Sequence, residues 1–228
     1  MKLEKGIRSS FGKSGRWYDD ACGTALALEF FGERWSLLVM RELMLGPRRF
    51  GDLKTHLAGI SANVLSQRLT SMERSGIVVR RKLAPPANVQ VYELTPWGYE
   101  AEPIFQTMGR WATRSPLHDP TLPLSPTSAM LSLRTMIAPG GGYPPMTLAF
   151  RFPDDSFVGR LSRDELAIER AEVETADVTF TCDPTTFVRL VYGKWPFEEA
   201  EAPGLLTLGG DRGLAARFVD LFALPDKI

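Results

Sequence analysis

Histidine and cysteine are scarce in this chain of 228 residues, with two of each. That scarcity excludes whole classes of chemistry. A zinc site needs three or four Cys, His or carboxylate ligands brought together by close spacing, and His56 and His118 each stand alone. Neither accompanies a serine in the strand–turn–helix elbow of a hydrolase. Cys22 and Cys182, one in each half, fit a reducing cytoplasm rather than a disulfide framework. No apolar run approaches the roughly 18 residues of a membrane span, and residues 1–6 carry charge without the apolar core of a secretion signal. The glycine cluster at 140–142 lacks the lysine and the strand-to-helix setting of a phosphate loop, and that at 209–213 is a turn into a helix without the dinucleotide fingerprint, so both read as turns. The expectation is a cytoplasmic protein that is not an enzyme and uses no metal and no cofactor.

The chain also has no net charge, yet the balance hides an asymmetry. Residues 1–114 hold 17 Lys and Arg against 11 Asp and Glu, an excess of six positives, and residues 115–228 hold 10 against 16, an excess of six negatives. The first half suits a polyanion and the second does not.

Within the basic half, residues 34–45 place Trp35, Leu38, Val39 and Leu43 at helical spacing, and Gly46-Pro47 ends the run. Phe50, Leu53 and Leu57 then give one apolar face of a short helix that stops at Gly59. Ser61 is a good N-cap for the next helix, whose inward side carries Leu65, Leu69 and Met72. Its outward side carries Ala62, Asn63, Ser66, Gln67 and Thr70. Small and amide side chains can approach base edges, and an amide can pair bidentately with adenine. After Gly76, the segment Val78-Val79-Arg80-Arg81-Lys82, a Pro85-Pro86-Ala87-Asn88 tip and the alternating run 89–94 read as a cationic hairpin. Two short helices, a glycine turn and a basic hairpin are the layout of a winged helix-turn-helix. The expected DNA-binding residues are Asn63, Ser66 and Gln67 on bases, with Ser61 at the helix start. Arg48, Arg49, Arg80, Arg81 and Lys82 are expected on phosphates, and Asn88 at the hairpin tip is expected on the DNA. Arg68 is left off because it reads as pairing with Glu42 inside the domain.

These residues resemble the HxlR-type branch of bacterial winged-helix regulators, relatives of the MarR type. The likeness runs through Cys22, Ala25-Leu26, Phe31-Gly32-Glu33-Arg34-Trp35 and Arg41-Glu42-Leu43. It continues in Gly46-Pro47-Arg48-Arg49-Phe50, Gly59-Ile60-Ser61, Leu65-Ser66-Gln67-Arg68-Leu69 and Glu73-Arg74-Ser75-Gly76, and ends with Tyr92-Glu93-Leu94-Thr95-Pro96-Trp97-Gly98 and Trp111. It spans roughly residues 17–114, and departs at Gly23, where the family often has Pro. The resemblance implies transcription regulation by a homodimer on double-stranded operator DNA. Residues 18–31 and the Ile104, Met108, Trp111 stripe are the expected contact between copies. Cys22 matches the cysteine that some members use to sense oxidants. The other reading is a small buried side chain, since Asp19 and Asp20 would oppose a thiolate.

Residues 96–114 read as one helix. Pro116, Pro120, Pro123 and Pro126 then interrupt the chain, so we divide it into a DNA-binding and dimerisation domain at 1–114, a proline-rich linker at 115–127 and a second domain at 128–228. The second domain begins with a helix opened by Ser125-Pro126 and ended by Pro139-Gly140. Strands follow at 146–152, with Met146, Leu148, Phe150 and Phe152 on one face, and at 157–161, 165–170, 177–182 and 205–208. Helices follow Asp183-Pro184 and span 214–222. The class is α+β, a winged helix-turn-helix domain followed by a mostly antiparallel sheet with helices on one side. The segments 176–187, 190–193 and 204–212 resemble a sterol-carrier-protein-type domain over about residues 125–225. The resemblance implies a tunnel for a hydrophobic small-molecule effector, lined by Leu148, Phe150, Phe187, Val191, Trp195, Phe218 and Phe222. Plain apolar core is the competing reading, because pocket linings are themselves mostly apolar. At the level of the whole chain the alternative to a ligand-responsive regulator is a lipid carrier or accessory protein whose winged domain makes protein contacts.

Overall fold

The computed structural model describes residues 18–138, 141–163 and 165–228. Residues 1–6, and Pro139 and Gly140 at the expected end of the first helix of the second half, lie outside them. The basic half contains α1 (Gly23–Phe31), α2 (Ser36–Leu43), α3 (Phe50–His56), α4 (Ala62–Arg74), β1 (Val78–Lys82), β2 (Gln90–Leu94), α5 (Pro96–Tyr99) and α6 (Glu102–Ala112). Val39, Leu43, Leu53, Leu57, Leu65, Leu69 and Met72 are all buried, so the predicted apolar faces of α2, α3 and α4 meet in one core. Gly59 joins α3 to α4 at φ +91°, where a β-carbon would make only ordinary contact with the Trp35 ring, so the backbone conformation sets the requirement. A side chain is strained in that left-handed conformation, which is why the turn uses glycine.

The expected single helix over 96–114 is instead two. α5 ends at Tyr99 and α6 restarts at Glu102, because Pro103 in its first turn has no amide hydrogen and crowds the preceding turn. α6 turns Phe105 and Gln106 inward and leaves Ile104, Met108 and Trp111 exposed.

The acidic half contains α7 (Pro126–Met136), β3 (Met146–Arg151), β4 (Ser156–Leu161), β5 (Leu166–Arg170), β6 (Val178–Cys182), α8 (Pro184–Gly193), α9 (Phe197–Glu201), β7 (Leu206–Gly210) and α10 (Arg212–Asp220). The strand order is β5-β4-β3-β6-β7, antiparallel except for the β3–β6 pair. Gly209 and Gly210, expected as a turn, are the last residues of β7 and pair with Thr179 and Val178. Asp183 starts α8 by accepting the amides of Thr185 and Thr186 at 2.8 and 2.9 Å, a cap worth about 1 kcal/mol.

The halves share one continuous apolar core. α7 packs against α2 and α6, Glu102 pairs with Arg134 at 2.9 Å, and Arg110 donates to the Thr135 carbonyl. At the far end of α6, Lys227 Nζ donates to the carbonyls of Thr113 and Ser115, each at 3.0 Å. The expected linker therefore ends in packed structure, with Ser125, Pro126 and Thr127 buried.

Candidate nucleic-acid interface

α4 is built to present one polar face. Ser61 Oγ accepts the Val64 amide at 3.2 Å, which satisfies one of the free donors at the helix start. Leu65, Leu69 and Met72 anchor the opposite side, so Ala62, Asn63, Ser66, Gln67 and Thr70 are all exposed. The three expected base-reading residues, Asn63, Ser66 and Gln67, thus lie together on one surface.

The hairpin beside them pairs Arg80 with Tyr92, Arg81 with Val91 and Lys82 with Gln90. Side chains alternate along a strand, so Arg80 and Lys82 share one face and Arg81 takes the other. No flat phosphate surface meets all three. Arg81 is paired with Glu93, and Arg80 lies 3.6 Å from Glu73. Both are about half exposed, so these are weak surface pairs that a phosphate can displace. Asn88 sits at the exposed hairpin tip with φ +44°. Arg49 is exposed immediately before α3, where its amide donates to Asp52 at 3.2 Å.

Arg48 departs from expectation. Only 4% of it is exposed, and its guanidinium makes a two-pronged contact with Asp155, in the turn between β3 and β4, together with a 2.9 Å bond to Thr127 Oγ1. A guanidinium held this way is not available to a phosphate. Arg68 also has a different partner. It pairs with Glu33 at 3.1 Å, while Glu42 is fully buried between Arg41 and Ser125 Oγ, at 2.8 and 2.6 Å. Sequence reasoning missed Asp155, Arg170 and Ser125 as interdomain residues, since nothing near them in the chain marks a partner more than 80 residues away.

Cys22 is exposed at the start of α1, which corrects the buried reading. The backbone amides of Thr24 and Ala25, with the Thr24 side chain, hold its thiol below the ordinary range. Asp20, expected to oppose a thiolate, accepts the Cys22 amide at 2.8 Å. Cys182 is buried, and that burial pushes its thiol up to about 12.

The expected tunnel residues mostly fill space instead of surrounding it. Phe150 contacts Phe180, Phe187 and Phe218 at ring separations of 6.0, 5.3 and 6.0 Å, and Phe218 contacts Phe222 at 5.1 Å. Leu148, Phe150, Phe187, Val191, Phe218 and Phe222 are each no more than 1% exposed. Trp195 alone of the seven lines a surface groove of about 500 Å³, with Leu190, Phe197 and Val219. A second groove of about 300 Å³ runs beside α1 between Leu26, Phe30, Trp97 and Ile104. Among the described residues, no helix is long and apolar enough to cross a membrane.

The family model for the HxlR-like helix-turn-helix matches residues 30–118. The uncharacterized HTH-type transcriptional regulator YvaP of Bacillus subtilis is 35% identical over 88 residues, 38% of this chain and 81% of that protein. The HTH-type transcriptional regulator YodB of the same organism is 35% identical over 86 residues, 38% of this chain and 77% of that one. The solved reduced form of YodB aligns at 31% identity over 44% of this chain and all of that one, with a TM-score of 0.39.

Proposed function

The chain belongs to the HxlR-like helix-turn-helix family of DNA-binding transcriptional regulators, and on that premise we propose that it acts in the cytoplasm as a homodimer that reads a specific operator and answers to a small hydrophobic effector. The observation that carries operator reading is the exposed polar face of α4, capped by Ser61 and flanked by the cationic hairpin. Asn63, Ser66 and Gln67 read base edges. Arg49, Asn88 and one face of the hairpin, either Arg80 with Lys82 or Arg81, hold the backbone and set the register, as phosphate contacts do in such interfaces. The test is anisotropy titration of the DNA upstream of the protein's own reading frame against a scrambled duplex. Asn63→Ala and Gln67→Ala should each lose about 1–3 kcal/mol of discrimination while retaining scrambled-duplex binding. Unchanged preference in both variants would remove α4 from the reading role.

Homodimerisation is supported by the exposed apolar residues of α1 and α6. Leu26, Leu28, Ile104, Met108 and Trp111 are each at least 40% exposed, on helices with no buried residue among them. Two copies bring two α4 helices to one duplex, and related modules space such helices about 34 Å apart.

For the effector, the filled aromatic core moves the site outward to the groove between Trp195, Phe197, Leu190 and Val219. A sterol-carrier-like second domain would present acyl or sterol-like ligands there. Such a ligand changes operator affinity only through its different affinity for the two DNA-binding states, and a coupling of about 1–3 kcal/mol shifts it roughly 5- to 150-fold. A fatty-acyl and sterol panel, followed by Trp195 fluorescence and operator titration, tests this. Ligands that bind without moving operator affinity would leave a carrier role in place of a sensor. Exposure and a lowered thiol favour Cys22 as a second, oxidative input.

A further inference from the structure

Arg48 lies where the two halves meet through buried charge. Its backbone is fixed by reciprocal bonds to Tyr92 of β2, at 2.9 and 2.8 Å, so its α-carbon sits beside the middle of that strand, two residues before α3. Its side chain points away from its exposed neighbour Arg49, into the acidic half. There it shares one carboxylate with a second guanidinium. Arg170 Nε donates to Asp155 Oδ1 at 3.1 Å, while its other nitrogens reach the Leu45 carbonyl at 2.9 Å and Thr127 Oγ1 at 3.3 Å.

Two cations on one buried anion form an unequal arrangement. If Arg48 leaves, Asp155 keeps Arg170 and is not left as an uncompensated buried charge, the outcome that makes most buried pairs costly to break. Arg48 itself is imperfectly held, because its Nε is buried without a hydrogen-bond partner. A phosphate would occupy that donor and remove the repulsion between the guanidiniums. A cleft of about 320 Å³, lined by Arg48, Arg170, Asp155, Asp154 and the α3 residues Asp52 and His56, opens beside the pair and gives the side chain a way out.

Resting on the DNA-binding reading above, we propose that the second half holds Arg48 in reserve through Asp155. Docked, Arg48 makes no DNA contact. Released, it joins Arg49 at the start of α3 as an additional phosphate contact, so loosening the Asp155 turn tightens DNA binding. The device is an autoinhibitory contact, and it supplies a route from the acidic half to DNA that does not depend on the linker.

The experiment measures anisotropy of the full-length chain on a labelled duplex of arbitrary sequence across a series of NaCl concentrations. Each phosphate neutralised contributes about 0.9 to the slope of log K against log salt. Arg48→Gln leaves the Asp155–Arg170 pair intact, and its slope should equal that of the wild type. Asp155→Asn should steepen the slope by about 0.9 for each copy bound, and Asp155→Asn with Arg48→Gln should return it to the wild-type value. A flatter slope for Arg48→Gln alone overturns the proposal, as does an unchanged slope for Asp155→Asn or a double variant that stays steep. Should Asp155→Asn fail to melt cooperatively, Arg48→Gln decides alone, an unchanged slope supporting the proposal and a flatter one overturning it. A wild-type chain that binds no duplex at any salt overturns the DNA-binding reading and this inference together, whereas DNA binding with the wrong slopes overturns only the inference.

Discussion

Phe150→Ala separates a packed core from a ligand tunnel. Phe150 is fully buried on β3 and touches three other aromatic rings, at 5.3 to 6.0 Å between centroids. Those neighbours belong to β6, α8 and α10, which have no common way to collapse into the space left behind. Truncation therefore loses the transfer energy of the ring and creates a cavity, a combination that costs about 3–5 kcal/mol for phenylalanine. For a chain of this size the melting temperature should fall by roughly 10 °C. Trp195, by contrast, lies at the mouth of the surface groove beneath the Arg189 guanidinium, 4.0 Å from the ring centroid. Trp195→Ala should cost about 1 kcal/mol, the size of a partly exposed cation–π contact with modest burial, yet should abolish binding of an acyl or sterol-like ligand in isothermal titration calorimetry. Urea titration gives the stabilities and ligand titration gives the binding. A Phe150→Ala penalty below about 1 kcal/mol, with stronger ligand binding, would refute the filled core, since only a side chain already facing open space can be removed so cheaply.

Ser61→Ala should destabilise the chain by about 1 kcal/mol in urea unfolding, because the Val64 amide at the start of α4 loses its acceptor. Trp111→Glu should leave the melting temperature of the monomer nearly unchanged, the ring being 76% exposed, while shifting sedimentation from dimer to monomer. A dimer that survives this change and Met108→Glu would place the contact elsewhere. Iodoacetamide alkylation of Cys22 should have its midpoint below that of an unstructured peptide thiol, since the amides of Thr24 and Ala25 favour the thiolate, and Cys182 should stay unmodified across the same range, with its thiol pushed up to about 12. Equal reactivity of the two cysteines would contradict both assignments.

Much of the candidate interface was legible because its signals are local. The 3.6-residue spacing of Leu65, Leu69 and Met72, the Ser61 cap, the glycines at 59 and 76 and the valine and arginine run into the hairpin each lie within one or two turns of chain. The pleat was legible only in part. Arg80, Arg81 and Lys82 were grouped by charge, and the strand register separated Arg81 from the other two. The helix over 96–114 was overextended because Ile104, Met108 and Trp111 keep their period on either reading, while Pro103 breaks the backbone without disturbing that pattern.

By itself the sequence determined most of the elements, the polar outward face of α4 and the basic hairpin, since periodicity, caps and turns depend on neighbours along the chain. Tertiary structure alone decided which like residues do unlike work. Arg48 and Arg49 are adjacent and chemically the same, yet one is buried on an aspartate 107 residues away and the other is exposed. The phenylalanines of the second half read equally well as core or as tunnel lining, and only the ring-to-ring packing of Phe150, Phe180, Phe187 and Phe218 resolves them. The physical reason is the same in both cases. Burial and ion pairing are properties of where distant segments meet, and a side chain's chemistry fixes what it can bind without fixing which partner arrives.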